Sequence, residues 1–249
     1  LEAHRALAET FLEPQLLGDP NTNNGELEIS LSMLEEAQKQ AENQSISSEV
    51  SLFSLLSEIY TIKNDFTNAE QALHKAQTAY RSLPMAQDRV RVILAQARLE
   101  AGRKNYKKAL TLFNNADQQL EKMEGRWWRA RVWVDMANLH LERNEPEDVD
   151  QAQNLFRDSL AEFREMGVEY YPDVIIEKLR HVKHISRAQA IAHRKITEEL
   201  EQAGRVQHTF IPTHSPSIPG YDISGVLLPA RETSGDFFDF FGLENEQLG

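Results

Sequence analysis

Through the first two thirds of the chain apolar side chains recur at intervals of three and four, and short polar or proline-bearing stretches interrupt them. That spacing puts one apolar stripe on a helix and predicts a succession of amphipathic helices. Three segments align: "DFTNAEQALHKAQTAY" (65–80), "NYKKALTLFNNADQQL" (105–120) and "VDQAQNLFRDSLAEF" (149–163). Each carries a small residue, a large apolar one four later and a small one three beyond: Ala69, Leu73, Ala76; Ala109, Phe113, Ala116; Ala152, Phe156, Ser159. The offsets are 40 and 43 residues, and "ISLSMLEEAQKQAEN" gives a weaker copy with Leu34 and Ala37 in register.

Positions i, i+4 and i+7 share a helix face, where small side chains let a partner helix approach and the large one fills its groove. The partners lie upstream in "SSEVSLFSLLSEIYTI" (47–62), "QDRVRVILAQARLEAG" (87–102) and "RWWRARVWVDMANLHLE" (126–142). "NTNNGE" (21–26), "RSLP" (81–84) and "RNEPED" (143–148) read as turns. Of Trp127, Trp128 and Trp133, position 127 shares a stripe with 130, 134 and 137 and is expected in the core. The opening "LEAHRALAETFLEPQLL" also reads as helix.

Beyond residue 168 the period breaks. Pro172 stands just inside a helix start with Asp173 in its first turn, and the pattern predicts a helix to about His208, too long for another repeat. Ile175, Leu179, Val182 and Ile185, then Ile196, Leu200, Ala203 and Val206, form a coiled-coil-like seam. Such a seam predicts a homodimer through this helix, with packing against the last repeat as the alternative. From Lys178 to Lys195 the helix is basic, with no acidic residue. Without interleaved aromatics this reads as a solvated face, or one facing the acidic solenoid, and not as a nucleic-acid grip. His181 and His184 have no third ligand near them in sequence for a metal.

Composition narrows the function classes. No apolar run nears the ~20 residues of a membrane span. The absence of cysteine removes disulfides, thiolate metal sites and a cysteine nucleophile, and fits a cytoplasmic setting. A formal charge of −12 opposes nucleic-acid binding.

Between 211 and 235 four prolines and three glycines exclude another long helix. "YDISGVLL" alternates as a strand does, and "DFFDFFGL" followed by "ENEQ" reads as the first arm of a hairpin.

Two family resemblances attach to these residues. The first helix pair, with Leu56, Tyr60, Asn64, Phe66, Ala69, Leu73 and Ala76, resembles a tetratricopeptide repeat, and the later pairs resemble its longer-loop relatives. This implies a helical solenoid over residues 1–168 that holds a protein or peptide on its concave face. "ELEQAGRVQHTFIP" followed by "IPGYDISGVLLPARETSGDFFDFF" resembles the entry to a PPM-type metal-dependent serine/threonine phosphatase of the SpoIIE/RsbU-like branch, with Ser234 where two glycines are usual. The resemblance implies that Asp236 is a ligand of a two-metal Mn2+ or Mg2+ cluster and that Arg231 meets the substrate phosphate. It also implies a phosphorylated signalling protein, such as an anti-sigma-factor antagonist, as substrate. Asp239, on the opposite strand face, is expected to be structural.

The sequence therefore predicts a mainly α protein: a tetratricopeptide-like solenoid (1–168), a linker helix with coiled-coil character (169–208), and a short β segment opening a truncated phosphatase domain (209–249). That last piece lacks most of the ligands, so no metal and no activity are expected of this chain alone. A non-enzymatic interaction scaffold is the alternative.

Overall fold

The computed structural model describes residues 24–39, 46–212, 214–217, 219–220, 222–228, 236–242 and 249. Among these the protein is helical: α1 (Asn24–Lys39), α2 (Ile46–Ile62), α3 (Phe66–Ser82), α4 (Ala86–Gly102), α5 (Tyr106–Lys122), α6 (Arg126–Arg143), α7 (Asp148–Glu165) and α8 (Tyr170–Phe210). Two compact units divide the chain, Leu1–His184 and Ile185–Gly249. No helix is long and apolar enough to cross a membrane among the described residues. The expected helix at the N-terminus lies outside them.

In the first unit the helices pair as hairpins, α2 with α3, α4 with α5 and α6 with α7, while α4 also packs on α2, and α6 on α5. Equivalent turns close the first two hairpins. Asn64 and Lys104 take left-handed backbone (φ 59° and 62°). The next amides, Asp65 N–H and Asn105 N–H, donate to the carbonyls of Tyr60 and Glu100, both at 2.9 Å. This six-to-one bond satisfies a helix-end carbonyl and reverses the chain. The third hairpin has the longer turn 144–147, with Asn144 and Glu147 both at positive φ. That turn is one residue longer than the other two and supplies one of the three residues by which the offset between triplets widens from 40 to 43.

The small-large-small triplets face inward as their spacing requires. Ala69, Leu73, Ala76, Ala109, Phe113, Ala116, Ala152, Phe156 and Ser159 are all buried. Leu34 and Ala37 of α1 are fully buried, so the weaker copy packs in the same manner against α2. Gly102 marks a close approach: a Cβ there would lie 2.8 Å from Thr61 Cγ2 and 3.1 Å from Phe66 Cε1, so the end of α4 can meet α2 and α3 only with hydrogen at that position.

The long helix α8 takes part in two different environments. In its first four turns, within the first unit, Tyr171, Ile175 and Val182 are buried, and Tyr171 stacks on Phe163 of α7 at 4.4 Å. This part therefore packs on the last helical pair, one of the two expectations for the seam. Pro172 lies in the first turn, where its missing N–H costs nothing. Further along, in the second unit, Ile196 (58% exposed), Leu200 (42%) and Val206 (56%) face solvent. Three cations of the basic stretch are met along the same helix, Arg180 by Glu177, Arg194 by Glu198 and Lys195 by Glu199.

The strands expected after residue 220 do not form among the described residues. Residues 222–228 and 236–241 have no regular secondary structure, and a bridge stands at Gly242. Phe241 and Gly249 do exchange both backbone hydrogen bonds, N–H to O=C at 3.1 and 2.9 Å, the pairing expected of two hairpin arms. The "ENEQ" turn itself lies outside the described residues.

Candidate functional site

Aligning the first helices of each pair brings four polar positions into one row. Glu58 (α2), Arg98 (α4), Asn138 (α6) and Lys178 (α8) follow one another at 40-residue intervals. The row is bonded from helix to helix. Arg98 Nη1 donates to Glu58 Oε1 at 2.5 Å, and Lys178 Nζ donates to Asn138 Oδ1 at 3.1 Å. Asp135, one turn before Asn138, closes the middle: it accepts from Arg98 Nη2 at 2.9 Å and from Arg131 Nη1 at 2.6 Å.

Glu58, Arg98, Arg131 and Asp135 are all buried, with two charges of each sign. Burial pushes the Asp135 carboxyl upward, but Arg131 and Arg98 together outweigh it and hold that carboxyl below the usual range. A buried network of this kind adds little net stability over an apolar core, yet breaking one member leaves an uncompensated charge. Its consequence here is register, since each first helix is fixed against the next by directional bonds.

A groove of about 420 Å³ opens over this row. Its apolar wall is Ile62, Ala101, Phe113, Leu139 and Leu141, and its polar groups are Thr61, Arg98, Asp135, Asn138, Glu142 and Lys178. Lost hydration raises the Glu142 carboxyl above the ordinary range, opposed by Lys104. An apolar wall with a few converging polar groups suits an extended segment, whose side chains are buried and whose amides are bonded. None of Glu58, Arg98, Asp135 or Asn138 is named by the apolar periodicity. The signal that finds them is the 40-residue interval applied to polar positions.

The tryptophans divide. Trp127 is half-buried among Phe163 and Tyr171, with ring centroids at 6.2 and 5.6 Å, while Ala130, Val134 and Ala137 of its stripe are buried. Trp128 is 36% exposed.

In the second unit, Asp236 is exposed, and its backbone carbonyl accepts from Gln207 Nε2 of α8 at 3.2 Å. Sequence reasoning did not anticipate this tie between the helix end and the carboxylate segment. Asp239 Oδ1 accepts from the Phe240 N–H at 2.8 Å. Phe238 packs on Gly225, where a Cβ would stand 2.5 Å from the ring. Arg231 lies outside the described residues. Among the described residues no three His, Asp or Glu side chains come together to hold a metal ion, so Asp236 by itself does not fit a two-metal cluster. His181 and His184 are exposed on α8.

Comparison with known proteins places similarity on two parts of the chain. A family model described as tetratricopeptide repeat protein 21 ARM repeat matches residues 21–146. Protein IcfG of Synechocystis sp. (strain ATCC 27184 / PCC 6803 / Kazusa) is 40% identical over 50 residues, which cover 20% of this chain and 8% of that protein.

Proposed function

Because this chain belongs to the tetratricopeptide repeat protein 21 ARM repeat family, we propose that its paired helices hold a protein or peptide on their concave face and that α8 passes the binding state to a phosphatase domain. The observation that carries the reading is the groove over Arg98, Asp135 and Asn138, whose wall includes Lys178 of α8. A ligand there touches the sensing helices and the outgoing helix together.

The phosphatase half rests on the residues at 209–249 that resemble a PPM-type entry. In the whole protein Asp236 is one carboxylate of a Mn2+ or Mg2+ cluster and Arg231 contacts the phosphate, with a phosphorylated signalling protein as substrate. The metals would supply hydroxide and charge neutralisation. The tie between Gln207 and the Asp236 carbonyl supports the coupling, because it joins the end of α8 to that segment. The exposed seam of Ile196, Leu200 and Val206 supports pairing of two copies through the same helix.

The test is expression of the full reading frame with Mn2+ and a phosphoserine protein. Phosphate release that disappears in Asp236→Ala supports the enzyme; release that survives the substitution removes Asp236 from the site. A second reading, an interaction scaffold without catalysis, is favoured by the family match, which falls on the helical pairs and leaves the carboxylate segment outside it. Absence of any release from the full protein, with partner binding intact, decides for the scaffold.

A further inference from the structure

The last turns of α2, α4 and α6 meet at the groove: Thr61 and Ile62, then Ala101, then Leu139, Leu141 and Glu142 line it. These helices run the same way. Arg91 bonds Ser51 and Arg98 bonds Glu58, so the offset of 40 holds over two turns, as it does between parallel helices, and α6 follows by the same alternation of hairpins. Three carboxyl-terminal helix ends therefore converge on one recess. We propose that the groove selects a partner segment carrying a Lys or Arg side chain beside an apolar one, with Glu142 as the residue that meets the cation. The proposal rests on the reading that this groove holds a protein or peptide.

The other charges of the lining are already engaged. Arg98 is bound by Glu58 and Asp135, Asp135 also by Arg131, and Lys178 donates to Asn138 and lies 6.0 Å from the centroid of the Phe156 ring. Glu142 stands at the edge of the groove, open to a ligand, and among the described residues it forms no hydrogen bond or ion pair. Lys104 favours its charge only from a distance, and lost hydration prevails over that help. A carboxylate so placed gains from a cation that a ligand brings. At the 40-residue interval Glu142 corresponds to Ile62, Gly102 and Val182, so it is the charged member of a row otherwise without charge.

The helix dipoles act in the same sense, because the carboxyl end of a helix carries roughly half a negative charge. The last turns of α2 and α4 contain no basic residue to offset it. His140 and Arg143 in the last turn of α6 are both bound to Asp148. The chain as a whole, at −12, adds to the attraction. The wall suits the stem of the same side chain, since Lys and Arg lay their methylenes on apolar surface and keep the charged head at the wet edge. Ile62, Phe113 and Leu139 offer that surface, and about 420 Å³ takes an apolar neighbour as well. An acidic segment would meet Glu142 with like charge.

The experiment uses the whole chain with carbon-13 methyl-labelled leucine, the Leu139 and Leu141 resonances being assigned by substitution. The probes are three twelve-residue peptides, alike except for a central pair: Leu and Lys, Leu and Gln, or Leu and Glu. The Lys peptide is expected to shift both wall resonances and to bind about tenfold tighter than the Gln peptide, with the Glu peptide weakest. Glu142→Gln should lower the Lys peptide to the affinity of the Gln peptide. Asp158→Asn, which removes the same charge from an exposed position of α7, should leave that affinity within about twofold. Glu142→Lys should reverse the order in favour of the Glu peptide. Wall resonances that shift with all three peptides at equal affinity overturn the charge selection and leave the groove reading standing. Equal weakening by Glu142→Gln and Asp158→Asn overturns it too, since the attraction is then that of the whole acidic chain. No shift of either resonance with any peptide at millimolar concentration overturns the groove reading together with the proposal.

Discussion

Lys178 of α8 donates to Asn138 of α6 across the same 40-residue interval that separates Arg98 from Glu58. The first turns of α8 therefore act as the first helix of a further repeat, in phase with the row before it.

This phase predicts where the stack can be cut. A chain ending at residue 168 loses the burial of Tyr171, Ile175 and Val182; one ending at 184 keeps it. With ~1.5–3 kcal/mol for each large apolar side chain removed from its site, the shorter chain should be several kcal/mol less stable. Ile175→Ala in the full chain should cost about 2–5 kcal/mol. Thermal denaturation checks both, and equal melting temperatures for the two truncations would show that α8 takes no part in the stack.

Arg98 is the member of the buried network shared by two carboxylates. Arg98→Ala should destabilise the chain by about 3–5 kcal/mol, because Glu58 and Asp135 are then buried without that cation. Arg98→Lys keeps the charge but loses the forked geometry and should cost less. Denaturant titration reads the difference, and a loss under 1 kcal/mol for the alanine variant would contradict the network's coupling.

Acid should weaken the fold through two carboxyls. Asp148 is held below its usual range chiefly by hydrogen bonds from Arg143, with His140 and the Glu145 N–H contributing, and Asp135 is held low by Arg131 and Arg98 against its burial. Unfolded, both titrate near ~3.9, so between the folded and unfolded values the unfolded chain binds more protons and stability rises with pH. Their contribution is complete at neutral pH and is lost as pH falls below about 4 toward the folded values. Melting temperature recorded from pH 7 to 3 should be flat in this respect above pH 5 and fall below pH 4. Asp148→Asn should lower the plateau and make the acid fall shallower.

The exposed seam makes its own prediction. Leu200→Glu should convert dimers to monomers, halving the mass seen by light scattering, since Leu200 sits between Ile196 and Ala203 on the solvent-facing stripe. An unchanged mass would assign the stripe to something other than self-association.

Local pattern alone determined much of this. The triplets around Leu73, Phe113 and Phe156 required helices with one close-packed face, because small and large side chains at i, i+4 and i+7 have no other economical arrangement. Proline and glycine beyond residue 211 likewise required the helices to stop. The tertiary structure decided what periodicity does not encode: that the first four turns of α8 belong to the stack, that Glu58, Arg98, Asp135 and Arg131 form one network, and that Gln207 reaches Asp236. The physical reason is range. Helix formation and the burial of one face depend on neighbours within a turn or two. The pairing of charges 37 and 40 residues apart depends on which helix packs beside which, and a seam reads the same in sequence whether it meets a partner helix or water.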